Sequence, residues 1–177
     1  MGTQLLNRVS LLLFFLFCFG GQGIGQRKGE RISIDWPGEY EWKTVQQTND
    51  GNVQTSMIIP GNESVSTASI MGSLKAYQGV QVATIADISS HYKAGLDSGT
   101  TFTLIDKKQN TTYPWVIFKV ETPRTQKYPE AESDLYYVVQ GKYALYENYV
   151  AIKESRLSDD FVKKWKAIFM TSKIATE

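Results

Sequence analysis

The sequence predicts an α+β domain, a mainly antiparallel sheet with helices packed against it in the order ββ-αα-ββββ-α. Three observations carry that expectation. Apolar and polar residues alternate on both sides of Asp50-Gly51, a pair that closes tight hairpins. From Gly99 the chain stays β-rich for about fifty residues. Ser158, Asp159 and Asp160 then open a stretch whose apolar residues fall at helical spacing.

Taken in order, Ile32, Ile34 and Trp36 alternate with polar residues, Pro37-Gly38 interrupts, and Tyr40, Trp42 and Thr44 resume the alternation up to Asn49-Asp50-Gly51-Asn52. Val53, Thr55, Met57 and Ile59 alternate again until Pro60-Gly61, so the two runs are expected to pair across the Asp-Gly turn. From Ser64 the period changes. Ala68, Met71, Leu74 and Tyr77 recur at helical spacing, with Ser64 or Ser66 as a cap and Gly79 as a stop, which predicts a first helix. The spacing of Ile85, Ile88 and Tyr92 predicts a second from about Val82 to Leu96, against the lower propensity of β-branched Thr84, Ile85 and Ile88.

Phe102 and Leu104 lead to a polar turn at Asp106 to Asn110, and Trp115 to Val120 is apolar except for Lys119, as suits a strand covered on both faces. Glu121 to Ser133, with Pro123 and Pro129, is the longest expected loop. Leu135 to Gln140 and Tyr143 to Lys153 flank Gly141-Lys142, which reads as a two-residue hairpin turn pairing Gln140 with Tyr143, Val139 with Ala144, Tyr137 with Tyr146 and Leu135 with Asn148. That face, continued by Val150 and Ile152, is the expected core. The other carries Tyr136, Val138, Tyr143, Leu145, Glu147 and Tyr149, more apolar than an open face needs, so a further layer or a ligand should cover it. In the closing helix Phe161, Trp165, Ile168 and Phe169 form one stripe, with Lys163, Lys164 and Lys166 outside it and the two aspartates placed to favour the dipole.

The N-terminus carries an address. Arg8 precedes the apolar run Val9 to Phe19 and then Gly20, Gly21, Gly23 and Gly25. A run this short falls below the roughly 20 residues that span a bilayer and fits the apolar centre of an export signal. The expected organisation is a signal peptide at 1–25, cut before Gln26, and one α+β domain at 26–177, periplasmic or extracellular. A lipid-modified Cys18 is the alternative, disfavoured by the bulky Phe17 before it. Cleavage removes the only cysteine, so the mature chain forms no disulfide and offers no thiol. It also removes Arg8 from the 19 basic residues, which balances the 18 acidic ones. A neutral chain without a basic tract carries no electrostatic footprint for nucleic acid or anionic lipid, and no transmembrane segment is expected after the signal.

Candidate chemistry is sparse. His91 is the only histidine, with Asp87 one helical turn earlier and Ser89 and Ser90 beside it, but no glycine-rich elbow presents either serine as a nucleophile. Glu39 and Glu41 could share a strand face at about the 5 to 9 Å that glycoside hydrolysis requires, near Trp36 and Trp42; the plain alternative is a solvated face. One histidine and no mature cysteine leave little for a metal, and Asn49, Asp50 and Asn52 lack the following bidentate acid of a calcium loop. No cofactor is implied. Asn62-Glu63-Ser64 and Asn110-Thr111-Thr112 match glycosylation acceptors. Tyr136, Tyr143 and Tyr149 are the candidate binding residues, since aromatic rings with polar tips suit ligand and partner recognition.

The order of elements in a one-domain exported chain resembles that of Mog1 and PsbP-like α/β/α sandwiches, which also close with a hairpin and a terminal helix. The stretches Pro114-Trp115-Val116-Ile117-Phe118-Lys119 and Gln140-Gly141-Lys142-Tyr143-Ala144-Leu145-Tyr146 are similar to those of exported bacterial proteins of unknown function. Neither resemblance implies a reaction. The expected function is an exported, non-enzymatic binding or accessory domain for a hydrophobic ligand or a protein partner; a small hydrolase using His91, Glu39 or Glu41 is the alternative.

Overall fold

The structure, a computed structural model, describes residues 29–126 and 129–176; the expected signal peptide, its cleavage site and Cys18 lie outside the described residues. The described chain is α+β and mainly antiparallel. In order it forms β1 (Glu30–Ser33), a 3-10 turn (Gly38–Tyr40), β2 (Lys43–Asp50), β3 (Val53–Ile59), β4 (Ile70–Gln78), α1 (Ile85–Ala94), β5 (Thr101–Lys108), β6 (Trp115–Thr122), β7 (Glu132–Gln140), β8 (Ala144–Ile152), α2 (Asp159–Met170) and β9 (Lys173–Thr176). Seven strands make one sheet in the order β2-β3-β4-β8-β7-β6-β5, while β1 and β9 pair separately.

The β2–β3 hairpin turns on Gly51-Asn52, with Asp50 opposite Val53 and Gly51 at φ 57°. Positive φ at the first turn residue only is the pattern of a type II′ turn, which matches strand twist and suits glycine. Asn49, Asp50 and Asn52 therefore belong to a hairpin end.

The expected first helix is a strand. β4 lies between β3 and β8, with Met71, Ser73, Lys75 and Tyr77 on one face and Ile70, Gly72, Leu74 and Ala76 on the other. Because α1 lies over the first face and Trp36 packs on Gly72 of the second, both faces carry apolar residues, and the alternation that marks a half-exposed strand disappears. What remains is Leu, Lys, Met and Ala, good helix formers overridden by pairing on both edges. The element order is thus corrected to one helix in the middle and one near the end. Ile32 and Ile34 likewise do not extend the first hairpin: β1 pairs with β9, an element with no clear signal in the sequence.

The second expected helix is α1, shorter than its expected range. Thr84 accepts from the Asp87 N–H at 3.3 Å while Asp87 accepts from the Thr84 N–H at 3.1 Å, a reciprocal cap. Gln109 from the β5–β6 turn takes the Ile85 N–H at 2.9 Å. α1 lays Ile85, Ile88 and Tyr92 over the sheet face that holds Met57, Tyr77, Phe118, Tyr136 and Tyr149. Ser158 caps α2, whose Trp165 and Phe169 are fully buried on the opposite face against Tyr137, Tyr146 and Val150. The result is three layers: α1, sheet, α2.

The last hairpin pairs two residues out from the expected register, with Gln140 opposite Leu145, Val139 opposite Tyr146 and Tyr137 opposite Asn148. A slip of two keeps every side chain on its expected face. The turn itself is Lys142-Tyr143, closed by a Gly141 N–H to Ala144 carbonyl bond of 2.8 Å. Its cause lies far away in sequence: the buried Glu30 carboxylate accepts the Lys142 N–H at 2.8 Å and the Tyr143 N–H at 3.4 Å. A side chain at Gly141 would collide with that carboxylate. The expected long loop also shortens, because β6 runs to Thr122 and β7 starts at Glu132.

Candidate functional site

The layer that shelters the tyrosine-bearing face of β7–β8 is α1. Tyr136 and Tyr149 face each other across the two strands with ring centroids 5.1 Å apart, and Tyr136 stacks on Phe118 at 4.9 Å. Tyr92 descends from α1 onto both Phe118 and Tyr136. Tyr136 and Tyr149 are 4% and 8% exposed, so they are core residues in this fold. Tyr143 stands apart from them in the turn, with the Lys142 ammonium 5.1 Å from its ring. The three candidate binding tyrosines do not form one surface.

Beside these rings lies a carboxylate the sequence left without a role. Glu147 is 2% exposed; its Oε2 accepts from the hydroxyls of Tyr92 and Tyr77, the latter at 3.3 Å, and its Oε1 is 3.7 Å from the Lys75 ammonium. Burial, with the Glu147 charge adding, pushes the Tyr77 and Tyr92 hydroxyls far above their ordinary range, so both stay protonated and donate. Burial does the same to Tyr136 and Tyr149, with Asp134 as the next cause. This cluster is closed to substrate. Its chemistry is that of a clamp holding α1 to β8.

The candidate hydrolytic residues occupy different layers. His91 is on α1, and the nearby Asp87 is engaged in the helix cap. Glu39 lies on the α2 side, where it accepts from the Lys164 ammonium at 2.8 Å, a bond that lowers the Glu39 carboxyl below its ordinary value. Glu41 follows at φ 48°, the one non-glycine residue with positive φ among those described. His91 thus shares no cleft with the two glutamates. Among the described residues no three His, Cys, Asp or Glu side chains gather in a way that could hold a metal ion, and no helix is long and apolar enough to cross a membrane.

A recess does exist on the α2 face, at the end of the sheet beside β1. It is a groove of about 460 Å³, within the ~300–1,000 Å³ typical of ligand sites. Register defines its floor. Gln47 is opposite Ser56, Ser56 opposite Leu74, Asn49 opposite Gln54, Gln54 opposite Ala76, and Ala76 opposite Tyr146, and cross-strand partners share a face. β1 supplies the wall through Glu30, Arg31 and Ile32. No family model matches this chain, and no curated protein does.

Two properties of the groove bear on its chemistry. First, its charged groups are already engaged: Glu30 by the hairpin turn, Lys75 by Glu147, and Arg31 by an interaction of its own. Second, Tyr146 lines the groove at 2% exposure, and its buried hydroxyl makes no hydrogen bond. Burial, and then the nearby Glu30 charge, raises that hydroxyl above its ordinary range. The Glu30 carboxylate, which accepts the Lys142 and Tyr143 N–H groups, also lies close enough to act on the hydroxyl, but the approach falls short of hydrogen-bond geometry. A buried hydroxyl left unpaired costs about 1–3 kcal/mol. Sequence reading missed this site because it forms only once β4 is a strand and β1 has left the first hairpin. The one available signal was the run of amides and hydroxyls at Gln46-Gln47-Thr48-Asn49 and Gln54-Thr55-Ser56.

Proposed function

We propose that the chain is an exported, non-catalytic binding domain and that the groove between β1 and the β2–β4 face receives its ligand. The observation that supports this reading is the Tyr146 hydroxyl, buried and unpaired at the edge of an open recess. The helix–sheet–helix layering is in keeping with the resemblance to Mog1 and PsbP-like sandwiches, and the N-terminal apolar run motivates export. The ligand is held by hydrogen bonds more than by apolar contact, since α1 already fills the tyrosine face where a hydrophobic ligand was expected.

Amide chemical-shift mapping during a screen of small polar fragments tests the site. Shifts should gather on Gln47, Asn49, Gln54, Ser56 and Ala76. Hits that map only to α1, or no saturable hit at all, would overturn the reading. N-terminal sequencing of the protein recovered outside the cytoplasm should begin at or near Gln26; an intact Met1 would remove the export half of the proposal.

A further inference from the structure

Resting on that reading, we infer that the groove binds a neutral, polyhydroxylated ligand, a short uncharged oligosaccharide. The floor of the groove is a sheet face, where the backbone N–H and C=O groups of β3 and β4 are consumed by the ladders, so recognition there falls to side chains. Those side chains are amides and hydroxyls: Gln47, Asn49, Gln54 and Ser56, with the buried Tyr146 hydroxyl at the β8 end. Each amide both donates and accepts, and each hydroxyl does the same, which complements a ligand whose own groups do both. Leu74 and Ala76 lie among them as a small apolar floor, suited to the C–H face of a sugar ring.

Charge separates this ligand from others. Glu30 and Arg31 stand side by side on the groove wall with opposite signs and the Lys75 ammonium is 3.7 Å from Glu147, so the groove presents no cluster of one sign for a phosphate, a carboxylate or an amine. An anionic or cationic ligand would lose its hydration and meet charges of both signs, whose effects on it largely offset. An extended peptide pairs with backbone at a free strand edge, as on β1 or the outer side of β2, whereas Gln47, Gln54, Leu74 and Ala76 form a sheet face that offers side chains.

The test is a titration of the protein, labelled in backbone and side-chain amides, with cellotriose, maltotriose and xylotriose, set against an oligogalacturonide and a neutral Gln/Ser/Thr hexapeptide. At least one neutral sugar should shift the side-chain amides of Gln47, Asn49 and Gln54 saturably. Gln54→Ala, a change at an exposed position that should leave the fold intact, should weaken that binding about tenfold. Tyr146→Phe should weaken it as well without lowering the melting temperature. Saturable shifts at the groove from the peptide or the uronide alone would overturn the sugar inference and leave the binding domain standing. No shift at the groove from any probe would overturn both.

Discussion

At the residue scale, two buried side chains show opposite solutions to one problem. Glu147 is ionisable, almost wholly buried and accepts two tyrosine hydroxyls on Oε2, with the Lys75 ammonium 3.7 Å from Oε1; Tyr146 is neutral, equally buried and unpaired. Removing the partner of the first should therefore cost stability, and removing the polar atom of the second should not. Tyr92→Phe deletes a hydrogen bond to a buried carboxylate while keeping the ring that packs on Phe118 and Tyr136, so a loss of about 1.5–3 kcal/mol is expected in denaturant unfolding. Tyr146→Phe should be neutral or stabilising by up to about 1–3 kcal/mol in the same assay. A large destabilisation by Tyr146→Phe would mean that the hydroxyl is satisfied within the protein and is not held for a ligand. Neither role was legible in the sequence. Glu147 was only a charge interrupting an apolar face, and the bonding of a hydroxyl depends on neighbours that the chain order does not bring near.

At the element scale, legibility followed exposure. The β2–β3 hairpin and α2 each keep a solvated side, so their patterns survive in the sequence, as does the Asp50-Gly51 signal. β4 carries apolar residues on both sides, and its α2-side face opens only into the groove at Leu74 and Ala76. Its helix-like reading rested on Ala68, Met71, Leu74 and Tyr77, of which Met71 and Tyr77 face α1 while Leu74 faces the other way. Gly72 shows how tightly that strand is used: a Cβ there would come within 2.8 Å of Trp36 and Ile58 carbons. Gly72→Ala should thus destabilise the protein by about 1–3 kcal/mol, as overpacking does, with altered tryptophan fluorescence as Trp36 shifts against Trp165. An unchanged melting temperature and emission would show the β4–Trp36 contact to be loose. α1 was legible from its apolar spacing, but the site at the other end of the sheet needed β4 and β1 in their true places. That is why the fold class came through and the groove did not.

At the scale of the whole molecule, the interior on both sides of the sheet is built around phenols. Among the described residues six tyrosines, Tyr77, Tyr92, Tyr136, Tyr137, Tyr146 and Tyr149, have hydroxyls raised above their ordinary range, with burial the first cause for each. In the unfolded chain these groups ionise near pH 10. Between that value and their higher folded values the native state binds more protons than the unfolded one, so stability is fully present below about pH 10 and falls as the pH rises beyond it. Each tyrosine held neutral lowers stability by about 1.4 kcal/mol per pH unit in that window. Several acting together exhaust a typical ~5–15 kcal/mol within one or two units. Alkaline titration should therefore show one cooperative transition above about pH 10, in which phenolate absorbance from the core tyrosines and tryptophan fluorescence from the Trp36–Trp42–Trp165 cluster change together. Salt should move that midpoint little, because the buried phenols are shielded by protein and not by ions. Gradual ionisation of all ten tyrosines near pH 10, with the tryptophan signal unchanged, would mean that water reaches the hydroxyls beneath α1 and that the three-layer packing is looser than this fold requires.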